Sequence, residues 1–231
     1  MKSVGLIGGL GPESTVDYYR SLINTHRERY PDSDPPSVII NSVNMQHVLR
    51  CVRGDRHQEL AEFLVLELEK LAAAGADFAL LTANTPHIVF DEVERSSPLP
   101  LISIVQATAE RAKQRGFTRV GLLGTRFTMQ ATFYPQVFSR MKMQICVPDE
   151  NDQDYIHERY FKELVNGIFL DETRQGLSEI VGRMRDRDGI QAVILGGTEL
   201  PLILRGGEAA GVPLLDTTQI HVEAALDRLR D

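Results

Sequence analysis

The sequence predicts an α/β protein made of two flavodoxin-like parallel-sheet halves related by pseudo-two-fold symmetry. Three observations carry that expectation. Short apolar runs alternate with amphipathic stretches from end to end. The runs are continuous instead of alternating with polar residues, as strands covered on both faces of a parallel sheet require. Parts of the chain also recur in the same order about half a length apart.

Strand-like runs fall at 3–9 (SVGLIGG), 37–43 (SVIINSV), 77–83 (DFALLTA) and 100–104 (PLISI). Four more follow at 119–125 (RVGLLGT), 143–148 (MQICVP), 191–197 (QAVILGG) and 212–218 (VPLLDTT). Helical patterns separate them. Over 58–73, Leu60, Phe63, Leu64, Leu68 and Leu71 recur at helical spacing, with Gly75 as the stop. The segment 55–75 therefore reads as a helix with one core face and one wet face, not as a membrane anchor. Residues 146–155 (CVPDENDQDY) read as a polar connector, and 183–188 (RMRDRD) as a solvated helix end.

The recurrence is specific in its offsets. VGLIGGLGPEST at 4–15 resembles VGLLGTRFTM at 120–129, an offset of 116, and FALLTANTPH at 78–87 resembles AVILGGTELP at 192–201, an offset of 114. Two similar offsets predict a duplication. The expected domains are 1–99 with 212–231, and 100–211, with a handover near SSPLP at 96–100. Ligands in parallel sheets sit beyond the carboxyl ends of the strands, so the polar-tipped strands are expected to face one cleft.

Composition narrows the function classes. The chain has 231 residues, 42% hydrophobic and 25% charged, with a net charge of −7. Scattered positive charge in an acidic chain argues against a nucleic-acid partner. No apolar run approaches the ~20 residues that span a bilayer, and the first residues lack signal-peptide anatomy. With Cys51 and Cys146 far apart and no disulfide framework, a cytoplasmic location is expected.

The glycine-rich turn GLIGGLGPES at 5–14 follows a strand and opens a helix, yet its glycines miss the G-x-G-x-x-G spacing. The second strand ends INSVN, without the acid that would hold a ribose, so no dinucleotide cofactor is expected. Backbone N–H groups near Gly9 to Gly11 remain candidates for an anion. In the second half, Thr125 and Thr128 suit either helix capping or a carboxylate. Asn84, Thr85 and His87 follow the third strand, and Thr198 and Glu199 occupy the equivalent turn; the alternatives are helix capping for Asn84 and Thr85, a structural role behind the site for His87, and helix-start electrostatics for Glu199. His26, His47, His57, His157 and His221 show no metal-ligand spacing with cysteines or acids, so no metal is expected. There is no G-x-S-x-G elbow.

Taken together, GLIGGLGPESTVDYY, NTPH, GLLGTRFTM and TELPLIL resemble the aspartate/glutamate racemase family, amino-acid racemases that use no pyridoxal phosphate. The resemblance runs from residue 3 to LLDTTQIHVEAA near the end. It implies an interdomain active site, no cofactor, a small amino or dicarboxylic acid as ligand, and a homodimer. It also implies an acid/base group, usually cysteine, at one strand tip of each half. The matching positions are Ala83 and Gly197. Racemisation takes the Cα proton from one face and returns one to the other, and a thiol of pKa about 8.5 can serve either way. Alanine and glycine cannot. General acid–base assistance is worth roughly 10²–10⁴-fold per proton transfer, so losing both groups is severe.

Binding positions are better matched. The resemblance assigns Asn84, Thr85, Thr198 and Glu199 to the substrate's amino and carboxylate groups, with Thr125 and Leu10 in the same pocket and Val52 and Arg53 as weaker candidates. Glu199 or His87 would be the substitute base. Three readings stay open: altered racemase or isomerase chemistry, a ligand-binding relative without catalysis, and an elimination or lyase-type enzyme on the same scaffold.

Overall fold

The computed structural model describes residues 2–230. Two compact units emerge, one running to Ala107 and resuming at Thr218, the other Thr108–Thr217. The helix Ile104–Gln114 carries the first boundary.

In the first unit, β1 (Ser3–Gly8) leads to α1 (Pro12–Arg29), then β2 (Ser37–Ser42), α2 (Met45–Arg53), α3 (His57–Ala73) and β3 (Phe78–Leu81). A 3₁₀ turn (Thr85–Val89), α4 (Phe90–Ser96) and β4 (Leu101–Ile102) precede α5 (Ile104–Gln114). The sheet order is β2-β1-β3-β4, all parallel, with Leu6 opposite Ile40 on one side and Leu80 on the other. One sheet face presents Val4, Leu6, Phe78 and Leu80 to Tyr18 and Leu22 of α1. Val222, Ala225 and Leu226 of the final helix complete that layer. Burying each such leucine or valine side chain contributes roughly 1.5–3 kcal/mol.

In the second unit, β5 (Arg119–Gly124), α6 (Arg126–Gln130), α7 (Phe133–Arg140), β6 (Gln144–Cys146), α8 (Glu150–Lys162) and α9 (Asp171–Asp188) lead to β7 (Ala192–Gly196). Then come α10 (Leu200–Ile203), β8 (Glu208–Ala209) and β9 (Val212–Asp216), after which α11 (Thr217–Arg230) returns to the first unit. The order is β6-β5-β7-β9-β8, parallel except for the antiparallel β8–β9 pair. Leu123, Val193 and Leu195 pack in one cluster with Ile156 and Tyr160 of α8 and Leu177, Ile180 and Met184 of α9.

Each sheet therefore places its first strand second, then its third and its fourth parallel strand. This is the flavodoxin-like order, and it occurs twice. Every strand-like run of the sequence contains an observed strand; β8, two residues long, had no apolar run to announce it.

Three differences from the sequence reading concern boundaries. The first unit runs on to Ala107, past the expected end at residue 99, because β4 pairs with β3, Leu101 opposite Ala79. The segment 212–231 is divided: α11 packs in the first unit, whereas β9 pairs with β7, Leu214 opposite Val193. The segment 146–155 is not a connector throughout, because α8 begins inside it, with the Asp149 carboxylate accepting from the Asp152 N–H at 3.0 Å. A short acid at the N-cap satisfies a backbone donor that the helix itself leaves unpaired. Among the described residues no helix is long and apolar enough to cross a membrane.

Candidate functional site

In the first unit the tips of β1 and β3 are stitched together by side chains. Gly9 takes φ +75°, and a Cβ there would run into the Val43 backbone. The Gly9 N–H donates to Thr15 Oγ1 at 2.8 Å, and the same hydroxyl donates to the Gly11 carbonyl. The sequence offered this N–H to an anion; the structure commits it to Thr15. Ser14 donates to the Thr82 carbonyl at 3.2 Å, and Thr82 Oγ1 to the Ile7 carbonyl at 2.8 Å. Thr82 is thus engaged within the sheet, where it offers no base.

Ala83 and Asn84 follow β3, and Thr85 opens the 3₁₀ turn. Asn84 is buried, while Leu10, Ala83 and Thr85 are half-buried. His87 is a different matter. Its Nδ1–H donates to the Ala83 carbonyl at 3.0 Å, and its Nε2 accepts the Ile104 N–H at 3.2 Å. Phe90 stacks on the ring, its plane 3° from parallel. Burial first, then the neighbouring His221, pulls its pKa from 6.5 to about 3. Both nitrogens of this neutral imidazole are occupied by backbone, so the substitute base that the sequence offered at His87 has no nitrogen left for a substrate. It fixes the carbonyl of residue 83 instead.

His221 extends the same arrangement. Tyr18 lies 3.0 Å from its Nδ1, and its Nε2 lies 2.8 Å from the Ile102 carbonyl. With Nε2 as the donor to that carbonyl, Nδ1 accepts the phenol proton. Two neutral histidines thus hold the exit of β4.

Val52 is buried in α2 and serves packing, whereas Arg53 on the same helix is exposed.

In the second unit Thr125 caps α6: its hydroxyl accepts the Thr128 N–H at 3.3 Å and lies 3.2 Å from the Thr128 hydroxyl. Beyond β7, Gly197, Thr198 and Glu199 lead into α10. Glu199 is 2% exposed, and its Oε2 accepts hydrogen bonds from the hydroxyls of Tyr160 and Thr198, the latter at 3.2 Å. Tyr160 reaches it from α8. Burial first, then the Glu199 charge, pushes the phenol pKa well above 10. Tyr160 stays protonated and donates.

Sequence reasoning missed Tyr160, and its place explains residue 197. A Cβ on residue 197 would stand 2.5 Å from Tyr160 Cε2 and 2.8 Å from its hydroxyl oxygen. Real Cβ atoms do not approach an aromatic ring that closely. The phenol occupies the space that a cysteine side chain at 197 would need. Only the IHERYFK pattern of α8, with Tyr160 one turn beyond Ile156, hinted at an inward-facing phenol.

A second omission concerns metal-type ligands. His47 and Cys51, four residues apart on α2, share one helix face, and Glu59 on α3 joins them. The sequence reading found no ligand spacing because the third residue comes from another helix.

A model of the Asp/Glu/Hydantoin racemase family matches residues 7–225. The chain belongs to this family. It is 26% identical over 168 residues to a broad specificity amino-acid racemase of Bacillus subtilis, covering 71% of this chain and 68% of that one. Among solved structures, an Asp/Glu racemase candidate from Yersinia pestis superposes with a TM-score of 0.89 at 32% identity over all of both chains. An aspartate racemase homologue from Pyrococcus horikoshii OT3 gives 0.85 at 33%, again over both full lengths. The repeated strand order is thus the two-domain α/β fold of this racemase family.

Proposed function

We propose that this family member binds a small amino or dicarboxylic acid and does not racemise it by the two-thiol route. Proton chemistry, in this reading, is confined to one face of the substrate carbon and runs through Glu199 with Tyr160. The observation that carries it is the Tyr160 ring standing where a side chain on residue 197 would be, with its hydroxyl on Glu199. Ala83 brings no ionisable group, and His87 is occupied by backbone. A phenol donor stabilises the carboxylate charge and keeps it aimed, so Glu199 can take a proton and return it to the same face. Asn84, Thr85, Thr125, Thr198 and Leu10 are the proposed ligand contacts, without a cofactor, in a homodimer.

The test is incubation with L- and D-aspartate, glutamate and other amino acids in D₂O. Expected is Cα–H exchange with retention of configuration by NMR, no opposite enantiomer by chiral chromatography, and loss of exchange in Glu199→Gln. Efficient racemisation by the unaltered protein would overturn the reading.

The mutual engagement of two buried groups, Tyr160 and Glu199, favours a second reading, a binding protein without turnover. Saturable thermal stabilisation by one of these acids, with no exchange in D₂O, selects it.

A further inference from the structure

We infer that His47, Cys51 and Glu59 form a binding site for a thiophilic divalent cation, zinc by chemistry, on α2 and α3 of the first unit. Three different donor atoms converge there. Cys51 Sγ lies 3.5 Å from Glu59 Oε1 and 3.8 Å from His47 Nε2, and Nε2 lies 3.9 Å from Oε1. A point equidistant from atoms so spaced is about 2.2 Å from each, against zinc bonds of about 2.0–2.3 Å to N, O and S. The triangle fits the ion with little movement.

The local sequence builds this geometry. Asn44 caps α2, its Oδ1 accepting from the N–H groups of Gln46 and His47. That fixes the first turn, and the i, i+4 spacing stacks imidazole over thiol. Phe63 of α3 packs against the His47 ring at 4.5 Å between centroids. Arg56 Nη1 donates to Glu59 Oε2 at 2.9 Å, leaving Oε1 aimed at the thiol. A ligating carboxylate held by an outer hydrogen bond is a usual feature of protein metal centres.

Cys51 itself is buried, while the side chains of His47 and Glu59 are 28% and 43% exposed, so the triangle can be reached from solvent. Sulfur and imidazole select zinc-like ions over magnesium or calcium. Binding displaces the thiol proton to solvent, and thiolate plus carboxylate then balance the two positive charges of the ion. Three protein ligands leave one position for water or an incoming carboxylate.

Cobalt(II) titration of the chelator-treated full chain is the test. Expected are one equivalent bound per chain, a thiolate-to-cobalt charge-transfer band in the near ultraviolet, and displacement of both by zinc. Cys51→Ser should abolish the band. His47→Gln, at a partly exposed position and with its fold checked by circular dichroism, should weaken binding by more than the roughly 10–100-fold that loss of an outer partner costs. No stoichiometric binding, or binding that both His47→Gln and Glu59→Gln leave unchanged, would overturn the site even if Cys51→Ser fails to fold. These readouts do not involve turnover, so they are independent of the proposed function.

Discussion

The Tyr160 hydroxyl donates to the Glu199 carboxylate, and the ring that carries it fills the space in front of Gly197. Residues 160 and 197 are therefore a matched pair of large and none. Glycine at 197 is required as long as an aromatic ring comes in from α8. Introducing a thiol at this strand tip is not a local change, because it needs the ring to leave.

Gly197→Cys alone should destabilise the protein by about 1–3 kcal/mol, the usual cost of forcing atoms into a packed interior. The ring lies in the α8–α9 core cluster and cannot swing aside as an exposed lysine would. Tyr160→Leu will cost stability separately. In the double variant the two losses should fall short of their sum by about 1 kcal/mol or more, since the clash is gone. Urea denaturation of the four proteins measures this coupling, and strict additivity would refute the steric relationship.

Tyr160→Phe keeps the ring and removes only the donor. A buried carboxylate then loses a hydrogen bond, at a cost of about 1–3 kcal/mol. The same variant should suppress any solvent exchange at the substrate carbon without preventing ligand-induced thermal stabilisation. An unchanged urea midpoint would show that the pair contributes nothing to stability.

Much of this was legible in the sequence. Continuous apolar runs gave every parallel strand, because a strand buried on both faces cannot hide its composition. The two offsets disclosed the repeated strand order. What escaped depended on side chains meeting across elements. Tyr160 lies 37 residues before Gly197 in the chain, and no periodicity relates a phenol on α8 to a gap after β7. Likewise His87 reads as either a structural group or a substitute base, and only its bonds to the backbone of Ala83 and Ile104 decide for the structural role. His47 and Cys51 are a visible i, i+4 pair, but Glu59 enters only once α3 packs beside them.

The glycine turn after β1 yields a comparison. Gly9 and Gly75 both adopt positive φ, at +75° and +93°, but a Cβ meets the Val43 backbone at Gly9 and open space at Gly75. Gly75→Ala should cost about 1–2 kcal/mol from backbone conformation alone. Gly9→Ala should cost clearly more, because the Val43 backbone cannot yield without loosening the Val43 N–H to Gly8 carbonyl bond of 2.9 Å. Equal losses in thermal or urea unfolding would mean that the close approach at Gly9 carries no energetic weight.

His87 and His221 should make the protein sensitive to acid over a definite range. Burial holds His87 at about 3 and His221 at about 4 in the folded state, against 6.5 for the ordinary side chain. Below pH 6.5 the unfolded chain takes up protons that the folded chain refuses, so stability falls with falling pH. The loss levels off once the pH passes the folded values. Above pH 7 neither group contributes to the slope. A tenfold difference in proton affinity is worth about 1.4 kcal/mol, so the two histidines together amount to several kcal/mol between pH 6.5 and 4. Buried carboxylates add their own loss at lower pH, so a variant is needed to isolate the histidines. His87→Gln can still donate to the Ala83 carbonyl but cannot titrate. Its stability, although lower at pH 8, should decline less steeply between pH 6.5 and 4 than that of the parent. Parallel curves for the two proteins, measured by urea unfolding at half-unit steps, would show that His87 is not the buried neutral group described above.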